Sequence, residues 1–233
     1  MTLRSGLLLA ACSALACATP RAREVDYLTP DQVALAELRG SELAATAPAV
    51  RCALELADSL ARRGIGYHHD QARHQLPGED PQEPPPELSC SEFVWYVYTS
   101  CGVDLGPRHR NTRKLAYSKH NYPRGMDRVD GARIRPGDLL VYEFDPEELK
   151  RRARLVGGEK AGHVVLVVSA ERRIVVGSHG EASTPLGAPE GVGYRSLRGD
   201  FSRWTEGRTL RAIYRPKAAA DGPIAPAGAH RVQ

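Results

Sequence analysis

The sequence predicts an α+β fold, and three observations carry that reading. Apart from a charged helix-like insertion at 146–156, helical segments fall in the first half of the chain, in residues 34–63 and 89–101. Strand-like segments are confined to the second half, at 138–144, 163–169, 172–178 and 209–215, with 163–169 a continuous apolar, β-branched run. Pro/Gly clusters separate nearly all of these segments, so helices come first and an antiparallel meander follows.

In chain order, residues 1–16 read as a signal peptide. Arg4 is a minimal basic region, and residues 6–16 form a small-residue apolar stretch. Two cysteines close it. Leu9-Ala10-Ala11-Cys12 matches a lipobox best but leaves a short apolar run, whereas Ala14-Leu15-Ala16-Cys17 allows one of ordinary length. Cys17 is the first choice for a lipid anchor and Cys12 the second, which places the protein exported in a bacterial cell envelope, facing periplasm or wall. Residues 17–35 read as a tether, 36–216 as one catalytic-sized domain, and the Ala/Pro/Gly-rich residues 217–233 as a disordered tail.

Within the domain, residues 34–63 hold one or two helices, the second spanning 50–63 and ending at Gly64. Residues 71–87 combine proline with acidic side chains and read as a surface loop. Ser89 then opens a helix as N-cap, with Glu92 three residues on completing a capping box. Phe93, Val94, Val97, Tyr98 and Cys101 recur at helical spacing, and Cys90 stands in the first turn. Residues 102–133 are irregular, a strand covers 138–144, and the charged residues 146–156 are a helix-like insertion. Two runs, 163–169 and 172–178, make a hairpin with His163 at its entry and His179 past its exit.

At 233 residues and 42% hydrophobic, the chain suffices for one good core. The net charge of +4 is dispersed and lacks the basic, aromatic-laced face of a nucleic-acid binder, so no nucleic-acid partner is expected. No long apolar run follows the leader, so no internal membrane span is expected.

A buried cysteine is most often an inert core residue. Cys90 differs by position, since unpaired N–H groups and the helix macrodipole both favour thiolate there. An activated thiol also needs a base, and His163, between a loop glycine and a strand, is the candidate. Cys52 and Cys101 either pair as a disulfide or remain two reduced thiols. His68, His69, Asp70 and His74 cluster without the spacing of a structural metal site, and no metal or other cofactor is expected.

Four motifs in chain order, Ser89-Cys90-Ser91-Glu92-Phe93-Val94, Leu105-Gly106-Pro107-Arg108, Pro136-Gly137-Asp138-Leu139 and Gly162-His163-Val164, resemble those of the NlpC-type cell-wall endopeptidases, a papain-like cysteine peptidase family. The resemblance covers about residues 60–215. It implies a papain-like arrangement, with the nucleophile helix packed on the meander, Cys90 as nucleophile and His163 as base. A third polar group would orient the imidazole. His179 is the candidate, with Ser178 or a backbone carbonyl as alternatives, although a strict count along the family pattern lands near Val175. Tyr67, Ser91 and Arg108 are candidate substrate-binding residues, Arg108 by pairing with a carboxylate. The implied substrate is a peptidoglycan stem peptide, cut at a D-γ-glutamyl-diamino acid bond. The chain departs from the family in having Ser89 for an aspartate, no glycine pair after Tyr67, and a long gap between Tyr67 and Cys90. A related Cys/His amidase or acyltransferase, an inactive wall-binding lipoprotein and a structural interaction protein are the alternative readings.

Overall fold

The computed structural model describes residues 25–33, 47–68, 84–106, 112–117, 123–144, 150, 162–180, 189–204 and 208–217. The leader with Cys12 and Cys17, the larger part of the proline loop, Arg108, nearly all of the 146–156 insertion and the tail beyond 217 lie outside the described residues.

The architecture is α+β. Seven strands, β1 (Val25–Leu28), β2 (Met126–Arg128), β3 (Leu139–Phe144), β4 (His163–Ser169), β5 (Ile174–His179), β6 (Gly191–Leu197) and β7 (Arg208–Pro216), form one sheet. Its order is β1-β6-β5-β4-β3-β7-β2, and every neighbouring pair is antiparallel. Helices α1 (Pro30–Val33), α2 (Pro48–Arg63), α3 (Cys90–Ser100) and α4 (Thr112–Ala116) accompany it. The larger core joins α2, α3 and α4 to one sheet face through Leu54, Phe93, Val97, Val164, Leu166 and Val176. A smaller core covers the other face, where Tyr142, Val165, Val167 and Val175 meet Trp204.

Local rules account for both long helices. Pro48 starts α2, where its missing N–H costs nothing, and Gly64 ends it at φ 68° with its N–H bonded to Ala61 O. Val50, Ala53, Leu54, Ala57 and Leu60 line its buried stripe. The capping box of α3 is complete: Ser89 Oγ accepts from Glu92 N at 3.4 Å and Glu92 Oε2 accepts from Ser89 N at 2.8 Å. Cys52 and Cys101 are disulfide-bonded, Cα–Cα 5.7 Å, which fastens α2 to the end of α3.

Pro136-Gly137-Asp138-Leu139 is a structural corner. A Cβ on Gly137 (φ 88°) would stand 2.4 Å from Val50 Cγ1, and its carbonyl accepts the Tyr98 hydroxyl. The buried Asp138 carboxylate takes two 2.8 Å bonds from Arg215 and one from Arg135 N at 2.9 Å. Helices and sheet are thereby tied together at the end of β3 away from His163.

Three strands depart from the sequence expectation. Residues 25–33, placed in the tether, contain edge strand β1, whose Val25 pairs with Leu197, so the folded unit begins at least as early as residue 25. Strand β6 lay unassigned because its Gly191, Gly193 and Arg195 are poor strand signals. Strand β2 falls in the stretch read as irregular. The hairpin turn also runs later than expected, through Arg173 at φ 53°, so β5 starts at Ile174 and ends at His179.

Candidate active site

Cys90 is the first residue of α3 and is buried at 9% exposure. Strands β4 and β5 pair at Leu166↔Val176, Val167↔Val175 and Ser169↔Ile174. Toward the open end of the hairpin, their polar groups turn to the segment entering α3. The backbone N–H groups of Val164, Ser91 and Cys90 favour the Cys90 thiolate against burial, and the Ser178 hydroxyl donates to Leu88 O. The helix N-terminus is therefore held against β4 and β5 at the mouth of the hairpin.

Strand alternation sends neighbouring side chains to opposite faces. Ser178 points to the helices, while His179 points to the far face and meets His163, Nε2 to Nδ1 at 3.0 Å. His179 Nε2 lies 3.0 Å from Gly193 O. A carbonyl can only accept, which settles the proton positions along the chain. His179 Nε2–H donates to Gly193 O, its Nδ1 is bare, and His163 Nε2–H donates to it. Nδ1 of His163 is left as the basic nitrogen. Val175, where the strict count lands, lies inside the ladder opposite Val167.

The remaining predicted residues divide. Gly66 N donates to Pro86 O at 2.8 Å and Leu88 N to Gly66 O at 3.1 Å, so the long 67–90 gap closes on itself and brings Tyr67 to the site. A Cβ on Gly180 would stand 2.2 Å from the Tyr67 ring, and the phenol is raised well above its usual range by burial and then by the Cys90 charge. Ser91 is buried, and its backbone N–H favours the Cys90 thiolate. His68 Nε2 lies 2.9 Å from the buried Glu92 carboxylate. His69, Asp70, His74 and Arg108 lie outside the described residues. Among the described residues, no three His, Cys, Asp or Glu side chains converge as a metal site.

Gly162 precedes His163 where nothing larger fits. An added Cβ would lie 1.8 Å from Tyr142 O, and its N–H donates to Glu143 Oε1 at 3.0 Å.

Two findings run against the sequence expectation. Burial pushes the Cys90 thiol up to about 11, outweighing the Val164 N–H and the Arg208 charge, so the helix N-terminus does not produce a resting thiolate. Among the described residues, moreover, no hydrogen bond joins Cys90 to the His163 ring. Burial, then Arg208, then Arg195 hold His163 well below the usual histidine value; burial, Arg195 and His163 do the same to His179 against the Gly193 carbonyl. The resting pair is neutral thiol and neutral imidazole.

Sequence reasoning missed Trp204, Arg195 and Arg208, all essentially unexposed. Arg208 lies 4.4 Å over the Phe144 ring, and Arg195 lies 4.9 Å over Tyr27 with bonds to the carbonyls of Tyr194 and Pro189. A buried arginine in a strand carries no local signal of its burial. Scanned against protein-family models, the chain matches none, and a search of curated proteins returns no significant match.

Proposed function

We propose that this chain is an exported cysteine endopeptidase of papain-like arrangement that hydrolyses peptidoglycan stem peptides. One observation carries the reading: the His163–His179–Gly193 chain leaves Nδ1 of His163 as the unprotonated nitrogen, one residue before Val164, whose backbone N–H favours the Cys90 thiolate. His163 and Val164 are consecutive residues of β4, which supports pairing this base with the thiol.

With both partners neutral at rest, proton transfer accompanies attack. His163 Nδ1 takes the thiol proton as the sulfur bonds to the scissile carbonyl carbon, and the oxyanion faces the N–H groups at the start of α3. The imidazolium gives its proton to the leaving amine, and the C–N bond breaks to leave a thioester. His163 then deprotonates water for attack on that carbonyl, and the departing sulfur recovers the proton. His179 holds the ring throughout, Tyr67 and Ser91 flank the sulfur, and no cofactor enters. The D-γ-glutamyl-diamino acid bond as substrate, like Arg108 as a substrate contact, follows from the motif resemblance. Export rests on residues 1–16, with lipid at Cys17 or Cys12, and the Cys52–Cys101 disulfide fits an oxidising compartment.

The buried, protonated Cys90 favours a second reading, a catalytically inactive wall-binding lipoprotein. Mass spectrometry of muropeptides after incubation with the mature protein tests both. New amine termini that disappear with Cys90→Ala support the peptidase, and an unchanged profile supports the binder. Products cut elsewhere than within the stem peptide identify an amidase or acyltransferase with the same Cys/His chemistry.

A further inference from the structure

We propose that Trp204 is a positioning residue for the histidine pair, fixing and sealing the His163–His179 hydrogen bond so that His163 keeps Nδ1 free for Cys90. The inference rests on the peptidase reading for its catalytic consequence, although its structural half stands alone. Trp204 is fully buried and belongs to no strand. Its N–H donates to Arg208 O at 2.9 Å, and an Arg203↔Thr209 bridge closes the excursion before β7. The indole is thereby delivered onto the sheet at the mouth of the β4–β5 hairpin.

There it spans both imidazoles. It stacks on His179 at 5.9 Å and 4°, meets His163 at 5.0 Å and 50°, and rests on Tyr142 at 5.3 Å from behind. A bicyclic ring has the width to cover two imidazoles, which a phenyl ring lacks. The side chain is kept despite a cost: Nε1–H is buried without a hydrogen-bond partner among the described residues. A core that needed only apolar volume would be filled as well by Phe or Leu.

Two effects follow from that placement. Excluding water strengthens the His–His bond and keeps a competing donor from inverting the tautomer. The indole face also receives the imidazolium that forms during each acyl transfer, by cation–π attraction. That matters because Arg208 and Arg195 both oppose a positive charge on His163.

The test compares wild type with Trp204→Met, which fills volume without a π face, and Trp204→Phe, which covers less. Thermal melts establish folding of each. Proton NMR reads the His163 Nε2–H, expected as a downfield, slowly exchanging resonance in wild type, lost in Trp204→Met and faster-exchanging in Trp204→Phe. On a muropeptide substrate, Trp204→Met should lose on the order of 100-fold in kcat with KM nearly unchanged, as expected when a reacting group is misplaced by about 1 Å, and Trp204→Phe should fall between. A folded Trp204→Met that keeps the resonance and the wild-type kcat overturns the proposal. If Trp204→Met does not fold, wild-type exchange behaviour and kcat in Trp204→Phe overturn it. If wild type itself hydrolyses nothing, the peptidase reading fails, and the resonance still decides what Trp204 does to the pair.

Discussion

Acidification should destabilise this protein through the two histidines. Both imidazoles are buried and held well below their ordinary value, His163 by burial, Arg208 and Arg195, and His179 by burial, Arg195 and His163. Because the folded pKa lies below the unfolded one, the stabilisation is complete above about pH 6.5 and is lost as pH falls toward the folded value. Between pH 7 and pH 5 an unfolded histidine takes up about 0.7 of a proton that a folded neutral one refuses. That is worth up to about 2 kcal/mol per ring, or about 4 kcal/mol for the pair. Urea unfolding at the two pH values measures it, and a His163→Gln/His179→Gln protein serves as reference because it lacks both titrations. The wild-type loss on acidification should exceed that of the double variant by about 2–4 kcal/mol. Equal losses would mean that the histidines are protonated when folded, and the assignment of a neutral base would be wrong.

Three further outcomes are expected. Cys52→Ser should lower stability by about 2–4 kcal/mol in urea unfolding, since the bond closes a loop of 49 residues, while the activity of the folded fraction persists. Gly162→Ala should abolish muropeptide hydrolysis or folding, because its Cβ would meet Tyr142 O at 1.8 Å; soluble yield and activity together read this out. His179→Ala should retain measurable hydrolysis where His163→Ala does not, and iodoacetamide alkylation of Cys90 should then need higher pH; full activity in His179→Ala would remove it from the site.

What was legible in the sequence was local. The α3 capping box needs only Ser89 and Glu92, and the β-branched run of 163–169 announces itself without a partner. Strand β1 has no such independence, since its four residues are a strand because β6 lies beside them, some 170 positions away. Arg195 sits in mid-strand because the Tyr27 face and two carbonyls receive it, all arrangements of the folded chain. The site followed the same division. Cys90, His163 and His179 stood out by residue type and neighbours, whereas Trp204 acquires its place through contacts with residues on three other elements. The thiol misled for a related reason: helix position is written in the sequence, but the burial that outweighs it is not.

Ser178 and His179 are consecutive, and one bonds the segment entering α3 while the other bonds His163. Their division of labour depends on strand parity alone. Slipping β5 by one residue would turn the hydroxyl to the far face and the imidazole to the helices, undoing both contacts together. Lengthening or shortening the hairpin by an equal number of residues on each arm preserves the assignment, and an unmatched single insertion in β5 reverses it. Among descendants of this sequence, the 163-to-179 interval is therefore free to drift in even steps, and odd ones should survive only with a compensating bulge.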